Sequence, residues 1–170
     1  GFDPYSASKA SADLAIQSYF HSFLNKKNKI KICIARAGNV IGGGDWATGR
    51  IIPDCIKQWS SSKKVKIRNP NSTRPWQHVL DVLYGYICLA VKMKKDNSLN
   101  GEAFNFGPKI ENKKTVLQVV KEMKKNWTKV NWTISNNKNF KESKLLQLNS
   151  IKAKKILNWK CKLNFEETIK

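Results

Sequence analysis

The chain has 170 residues, 41% of them hydrophobic, which is enough for a packed domain and too apolar for a disordered segment. Its formal charge of +20 raises nucleic acid as a partner, but of the 32 basic residues only Arg36, Arg50, Arg68 and Arg74 are arginine. Phosphate-gripping surfaces favour the planar arginine fork, so the lysine excess, accompanied by many asparagines and isoleucines, reads as codon bias and solvated helix faces and argues against nucleic acid.

No window approaches the ~18 consecutive apolar residues of a membrane span, and nothing resembles a signal peptide. Cys33, Cys55, Cys88 and Cys161 form no C-x-x-C pair, so neither a zinc site nor a disulfide framework is expected; reduced thiols in a cytoplasmic protein are. The chain opens Gly1-Phe2-Asp3 with no methionine before Met93, and an N-terminal truncation is expected.

Asp3-Pro4 opens a helix, a capping carboxylate followed by proline at the first helical position. The helix is predicted to run to about Leu24, with Leu14, Ile16, Tyr19, Phe20 and Phe23 on its apolar side. Ile30 to Ala35 reads as a buried parallel strand ending near Ala37-Gly38, and Gly42-Gly43-Gly44-Asp45 as a flexible stretch. Helices are predicted at Pro53–Trp59, Val79–Lys94, Thr115–Trp127 and Ser150–Leu157, and over Asn164–Lys170 at the tail. Strands are predicted at Val65–Arg68, Ala103–Phe106, Asn131–Ser135 and Leu145–Leu148, and a turn-rich loop at Asn69–Pro75. Val116, Val119, Val120 and Met123 should face inward. Strands alternating with helices make the fold class α/β.

Tyr5 and Lys9 stand one helical turn apart, so their side chains share a face and can reach one pocket. A phenol, with a reference pKa of about 10, is a poor base at neutral pH, and a neighbouring cation favours the phenolate that would act as one. The bare pattern also arises on ordinary amphipathic helices. Its surroundings carry more information. Asp3-Pro4-Tyr5-Ser6-Ala7-Ser8-Lys9-Ala10 resembles the active-site helix of the extended short-chain dehydrogenases. Arg36-Ala37-Gly38-Asn39-Val40-Ile41-Gly42 resembles the R-x-x-N-x-x-G turn of the same superfamily. Arg74-Pro75-Trp76-Gln77-His78-Val79-Leu80-Asp81 and Ala103-Phe104-Asn105-Phe106-Gly107 are similar to later segments of the nucleotide-sugar dehydratases, in the same order. Gly42-Gly43-Gly44-Asp45-Trp46, Arg50-Ile51-Ile52-Pro53-Asp54 and Ile67-Arg68-Asn69-Pro70 look like the branch of that family acting on CDP-glucose.

The resemblance implies the C-terminal part of a Rossmann-type parallel sheet, residues 1–48, followed by a smaller α/β nucleotide-sugar-binding region, residues 49–170, truncated at the C-terminus. It implies NAD as a returning cofactor. The sugar would be oxidised at C4, lose water across C5 and C6, and receive the hydride back at C6. In that scheme Tyr5 takes the C4 hydroxyl proton, and Lys9 holds the nicotinamide ribose and favours the tyrosinate. Asn39, Arg50 and Arg74 would contact the diphosphate of the nucleotide sugar, and Arg68 would lie at its base. No metal is implied. A homodimer through the Tyr5-bearing helix is a further expectation.

The family's glycine-rich pyrophosphate turn and its elimination acid and base precede the tyrosine and have no counterpart here. Gly42-Gly43-Gly44 has the wrong spacing, and Asp45 would repel phosphate. The chain alone is therefore expected neither to hold NAD nor to turn over substrate. Arg36 is balanced between an internal salt bridge and cofactor contact; His78 is expected to be structural, and Trp59, Trp127, Trp132 and Trp159 to pack. The nearest alternatives are an epimerase or reductase of the same fold; a basic nucleic-acid-binding module is the alternative from another class.

Overall fold

The computed structural model describes residues 3–24, 29–108, 113–135 and 147–170. Helix α1, Pro4–Tyr19, starts where Asp3 caps it: the carboxylate accepts the Ser6 N–H at 3.0 Å and the Ser6 hydroxyl at 2.6 Å. These bonds, the hydroxyl's first, hold the Asp3 carboxyl below its ordinary pKa. A π-helical turn, Phe20–Leu24, ends the element.

The chain then forms β1, Ile34–Ala37, and β2, Asn39–Ile41, separated by Gly38. The ladder begins later than the apolar run suggested. The Ile32 N–H is taken by the Asn100 side chain at 2.8 Å, while the Ile32 carbonyl accepts the Gly101 N–H at the same distance. Helix α2, Ile51–Ser60, and β3, Val65–Ile67, follow. Next come β4, Thr73–His78, and α3, Val79–Lys95. A 3-10 turn, Asn97–Leu99, leads into β5, Ala103–Phe106. The remainder is β6, Lys113–Thr115; α4, Val116–Asn126; β7, Trp132–Ile134; α5, Ile151–Leu157; and α6, Phe165–Ile169.

Strand β4 replaces part of a predicted loop. Thr73, Arg74 and Pro75 pair antiparallel with β6, and then Trp76, Gln77 and His78 pair in parallel with Asn39, Val40 and Ile41. Pro75, which has no N–H to give, sits where one partner hands over to the other. Two further parallel pairs, β1 with β5 and β3 with β7, complete an α/β architecture. The predicted strand at Leu145–Leu148 is not formed at Gln147 and Leu148, and its first two residues lie outside the described set. Two helix starts rest on reciprocal caps, Thr115 with Gln118 and Asn164 with Glu167.

Three apolar clusters hold these elements. Leu89, Leu99, Phe104, Phe106, Leu157 and Trp159 fill the space between α3, β5 and α5. Trp59, Cys55, Val65, Ile67, Val120 and Val130 form the second cluster. Trp76, Val119 and Phe165 form the third, with Ile41, Ile51 and Ile52 against them. Each large side chain fully withdrawn from water contributes roughly 1.5–3 kcal/mol. The buried tryptophans also satisfy their N–H groups: Trp59 donates to the Asn131 carbonyl at 2.6 Å and Trp159 to the Asp81 carbonyl at 3.0 Å. Burial pushes the Cys55 thiol up to about 12, with the nearby Asp54 charge acting in the same direction.

One expectation is corrected. The apolar side of α1 does not point into this core; Leu14, Tyr19 and Phe23 are all more than half exposed, and the helix buries no residue of its own. Toward its far end Ile16 is half-buried, Phe20 packs against Gly101, and the following Leu24 is buried. Among the described residues, no helix is long and apolar enough to cross a membrane.

Candidate functional site

Two contacts set the direction of α1 against β1 and β5. The Gln17 side chain donates to the Gly101 carbonyl at 2.8 Å, near the start of β5, and Arg36 in β1 forks onto Asp13 at 2.5 and 2.8 Å. The helix therefore runs backwards along the strands. From Asp13 back to Tyr5 is about 12 Å at 1.5 Å per residue, and from Arg36 forward to Asn39 is about 10 Å at 3.3 Å per residue. This direction points the Tyr5 end of the helix toward the carboxyl side of β1, where open α/β sheets receive their ligands.

The Lys9 ammonium lies over the Tyr5 ring, 5.6 Å from its centroid, and Tyr5 is 71% exposed. The two side chains share one open face of the helix. This is a cation–π arrangement, and among the described residues the Tyr5 hydroxyl has no hydrogen-bond partner. Gly38 is needed at the junction of β1 and β2: a Cβ on it would come within 2.6 Å of the Pro75 ring. That close approach brings β4 against the junction and makes Asn39 the register partner of Trp76, two residues beyond Arg74.

The predicted arginines divide. Arg74 lies in β4, half-buried, its Nη1 donating to the Thr73 carbonyl at 2.8 Å. Arg50 stands just before α2 on the loop that leaves β2, exposed, with Asp45 at 3.3 Å. Arg68 follows β3 and belongs to a different sheet, the β3–β7 pair. Asn39, Arg50 and Arg74 thus gather around one sheet and its loop, and Arg68 does not join them there. Arg36 resolves as the internal salt bridge with Asp13. His78 is structural, its Nδ1 accepting the Leu80 N–H at 3.1 Å as the cap of α3. Among the described residues, no cluster of three or more histidine, cysteine or acidic side chains could hold a metal.

Gln77 and Asp81 lie within the Arg74–Asp81 segment, and the sequence alone pointed to no role for either. Both are buried. The Gln77 amide donates to the Phe106 carbonyl at 2.9 Å and ties the end of β4 to the end of β5. The Asp81 carboxylate accepts the Lys162 and Leu163 N–H groups at 3.0 and 3.1 Å and the Cys161 thiol at 3.0 Å, fastening the tail to the first turn of α3. A buried polar type inside an otherwise apolar stretch was the available signal.

Residues 2–170 match the family model described as GDP-mannose 4,6 dehydratase. The chain is 40% identical to the CDP-glucose 4,6-dehydratase of Salmonella typhimurium, across 99% of this chain and 48% of that protein. It is 27% identical to the human dTDP-D-glucose 4,6-dehydratase, across 99% of this chain and 46% of that one. The chain spans about half the length of the curated relatives it matches over its whole extent. Its fold superposes on a UDP-glucuronic acid 4-epimerase from Bacillus cereus with a TM-score of 0.81 at 22% identity, covering 98% of this chain and 50% of that one. It superposes on a dTDP-glucose 4,6-dehydratase from Bacillus anthracis at 0.76, also 22% identical, with the same coverage. These neighbours show the fold alone, a Rossmann-type α/β architecture. With the family model spanning nearly every residue, the chain belongs to the GDP-mannose 4,6 dehydratase family.

Proposed function

We propose that this chain is the catalytic-helix and substrate-binding part of a lyase that dehydrates CDP-glucose to CDP-4-keto-6-deoxyglucose. The observation that carries the reading is the pairing of Tyr5 and Lys9 on one open helix face. The 40% identity to a CDP-glucose 4,6-dehydratase supports the choice of sugar nucleotide. Residues 1–48 act as the end of the dinucleotide-binding unit and 49–170 as the substrate region.

The donors present suit NAD: Tyr5 and Lys9 match the pair that the resemblance assigns to the nicotinamide ribose, and both are exposed to receive it. When bound, the cofactor supplies a hydride acceptor and donor. Lys9 donates to the ribose and biases Tyr5 toward the phenolate, and Tyr5 Oη takes the proton from the sugar C4 hydroxyl. Asn39, Arg50 and Arg74 bind the diphosphate through charge-assisted hydrogen bonds, and Arg68 lies toward the base. The glycine loop 42–44 enters α2 past Asp45 and contributes nothing to pyrophosphate binding.

The protein works in the cytoplasm as a homodimer, with the exposed Leu14 and Tyr19 of α1 and Phe23 of the following turn as the contact. Analytical ultracentrifugation of the enzyme with its dinucleotide-binding segment tests the dimer, and a monomer at micromolar concentration removes it. The activity is tested in the same protein with CDP-, dTDP- and UDP-glucose. Loss of one water from CDP-glucose alone supports the reading; turnover of another sugar nucleotide in preference, or epimerisation without water loss, overturns it.

A further inference from the structure

Trp46 is the one large aromatic side chain on the loop joining β2 to α2, and it is 59% exposed. Its backbone is not loose. Lys57 in α2 donates to the Trp46 carbonyl at 2.7 Å, and Asp45 accepts the Ala47 N–H at 3.0 Å in a turn around it. Arg50 ties back to Asp45 at 3.3 Å, so both flanks of Trp46 are fastened to each other and to the helix. The indole itself makes no ring contact and no hydrogen bond among the described residues, unlike Trp59, Trp76 and Trp159, whose N–H groups are all satisfied. A fastened backbone carrying an uncovered aromatic face resembles a surface prepared for a ligand, because exposing so large an apolar group in a loop otherwise gains nothing.

The position selects the part of the ligand. The loop leaves the carboxyl end of β2, the same end of the sheet as Tyr5, and Trp46 falls between Asn39 and Arg50 in sequence. We propose that the Trp46 indole is the platform for the hexose of the nucleotide sugar, stacking on the C–H face of the pyranose and setting specificity for a hexose-bearing ligand over the bare nucleotide. The proposal rests on the reading of this site as a nucleotide-sugar site. Pyranose C–H groups carry partial positive charge and meet the electron-rich ring face favourably, without needing a hydrogen-bond partner.

The test is calorimetric titration of the 170-residue chain with CDP-glucose and with CDP, for wild type, Trp46→Ala and Trp46→Phe, with circular dichroism showing that each is folded. Wild type should bind CDP-glucose more tightly than CDP. Trp46→Ala should weaken CDP-glucose about fivefold, the scale of one aromatic stacking contact, and leave CDP unchanged. Trp46→Phe should keep most of the preference. Equal loss for both ligands, no loss for either, or a wild type without preference overturns the platform while the nucleotide site stands. A wild type that binds neither ligand overturns the site reading and the platform together.

Discussion

Tyr5 and Lys9 meet because four residues of helix bring them to one face, and they are open because Asp3 and Pro4 begin the helix just before them. Asp81 is the opposite kind of residue. It is a buried carboxylate with no cation beside it among the described residues, satisfied by two backbone N–H groups and a thiol from the tail. Asp81→Ala would leave those donors facing an apolar gap, and the cost should be about 3 kcal/mol, read as a fall in the urea midpoint. A variant as stable as wild type would show that the tail is held by its apolar contacts alone. Cys55 gives a pH signature. Its thiol titrates near 9.0 when exposed and is pushed up to about 12 in the fold, so its contribution to stability is complete below pH 9 and declines as pH rises toward 12. Cys55→Ala should show a smaller alkaline loss of stability than wild type between pH 8 and 10.5; identical alkaline slopes would contradict the assignment.

The elements show what a sequence can and cannot reveal. Helices α2, α3 and α4 and strand β5 were legible within a residue or two, because apolar periodicity and local caps such as Thr115–Gln118 are written in neighbouring residues. Strand β4 was half hidden: Asn69 to Pro75 is rich in turn formers, and only pairing with β6, some forty residues later, draws Thr73, Arg74 and Pro75 into a ladder. The site followed the same division. The Tyr5–Lys9 pair is local and was visible, and the gathering of Asn39 with Arg74 is set by strand register, which local pattern does not carry. The outward turn of α1's apolar side was invisible because period reports that a face is apolar, not what covers it. At Gly85 the packing of α3 on β5 is tight enough to test. A Cβ there would come within 2.5 Å of Phe106 and 2.9 Å of the Trp159 indole nitrogen, so Gly85→Ala should lower stability by about 1–3 kcal/mol in thermal or urea unfolding. An unchanged midpoint would mean that the helix can ride up without loss.

At the scale of the whole molecule, the charge of +20 and the half-length relationship to its relatives shape what the chain can do. Binding of duplex DNA should be weak, without sequence preference, and gone at moderate salt; tight binding that persists there would contradict the codon-bias reading of the lysines. Among the described residues, no strand covers the second edge of β1, and the apolar side of α1 is open. Purified alone, the chain should carry no stoichiometric NAD, since the glycine turn that would cradle a pyrophosphate is not among its residues.

The most direct measurement is conversion of CDP-glucose by the enzyme carrying the upstream dinucleotide-binding segment, comparing wild type with Tyr5→Phe by mass spectrometry of the product. The account predicts a product lighter by one water from wild type and a rate lowered about 10²- to 10⁴-fold by loss of the phenol, with CDP-glucose affinity little changed. A Tyr5→Phe enzyme that dehydrates CDP-glucose at the wild-type rate would contradict it.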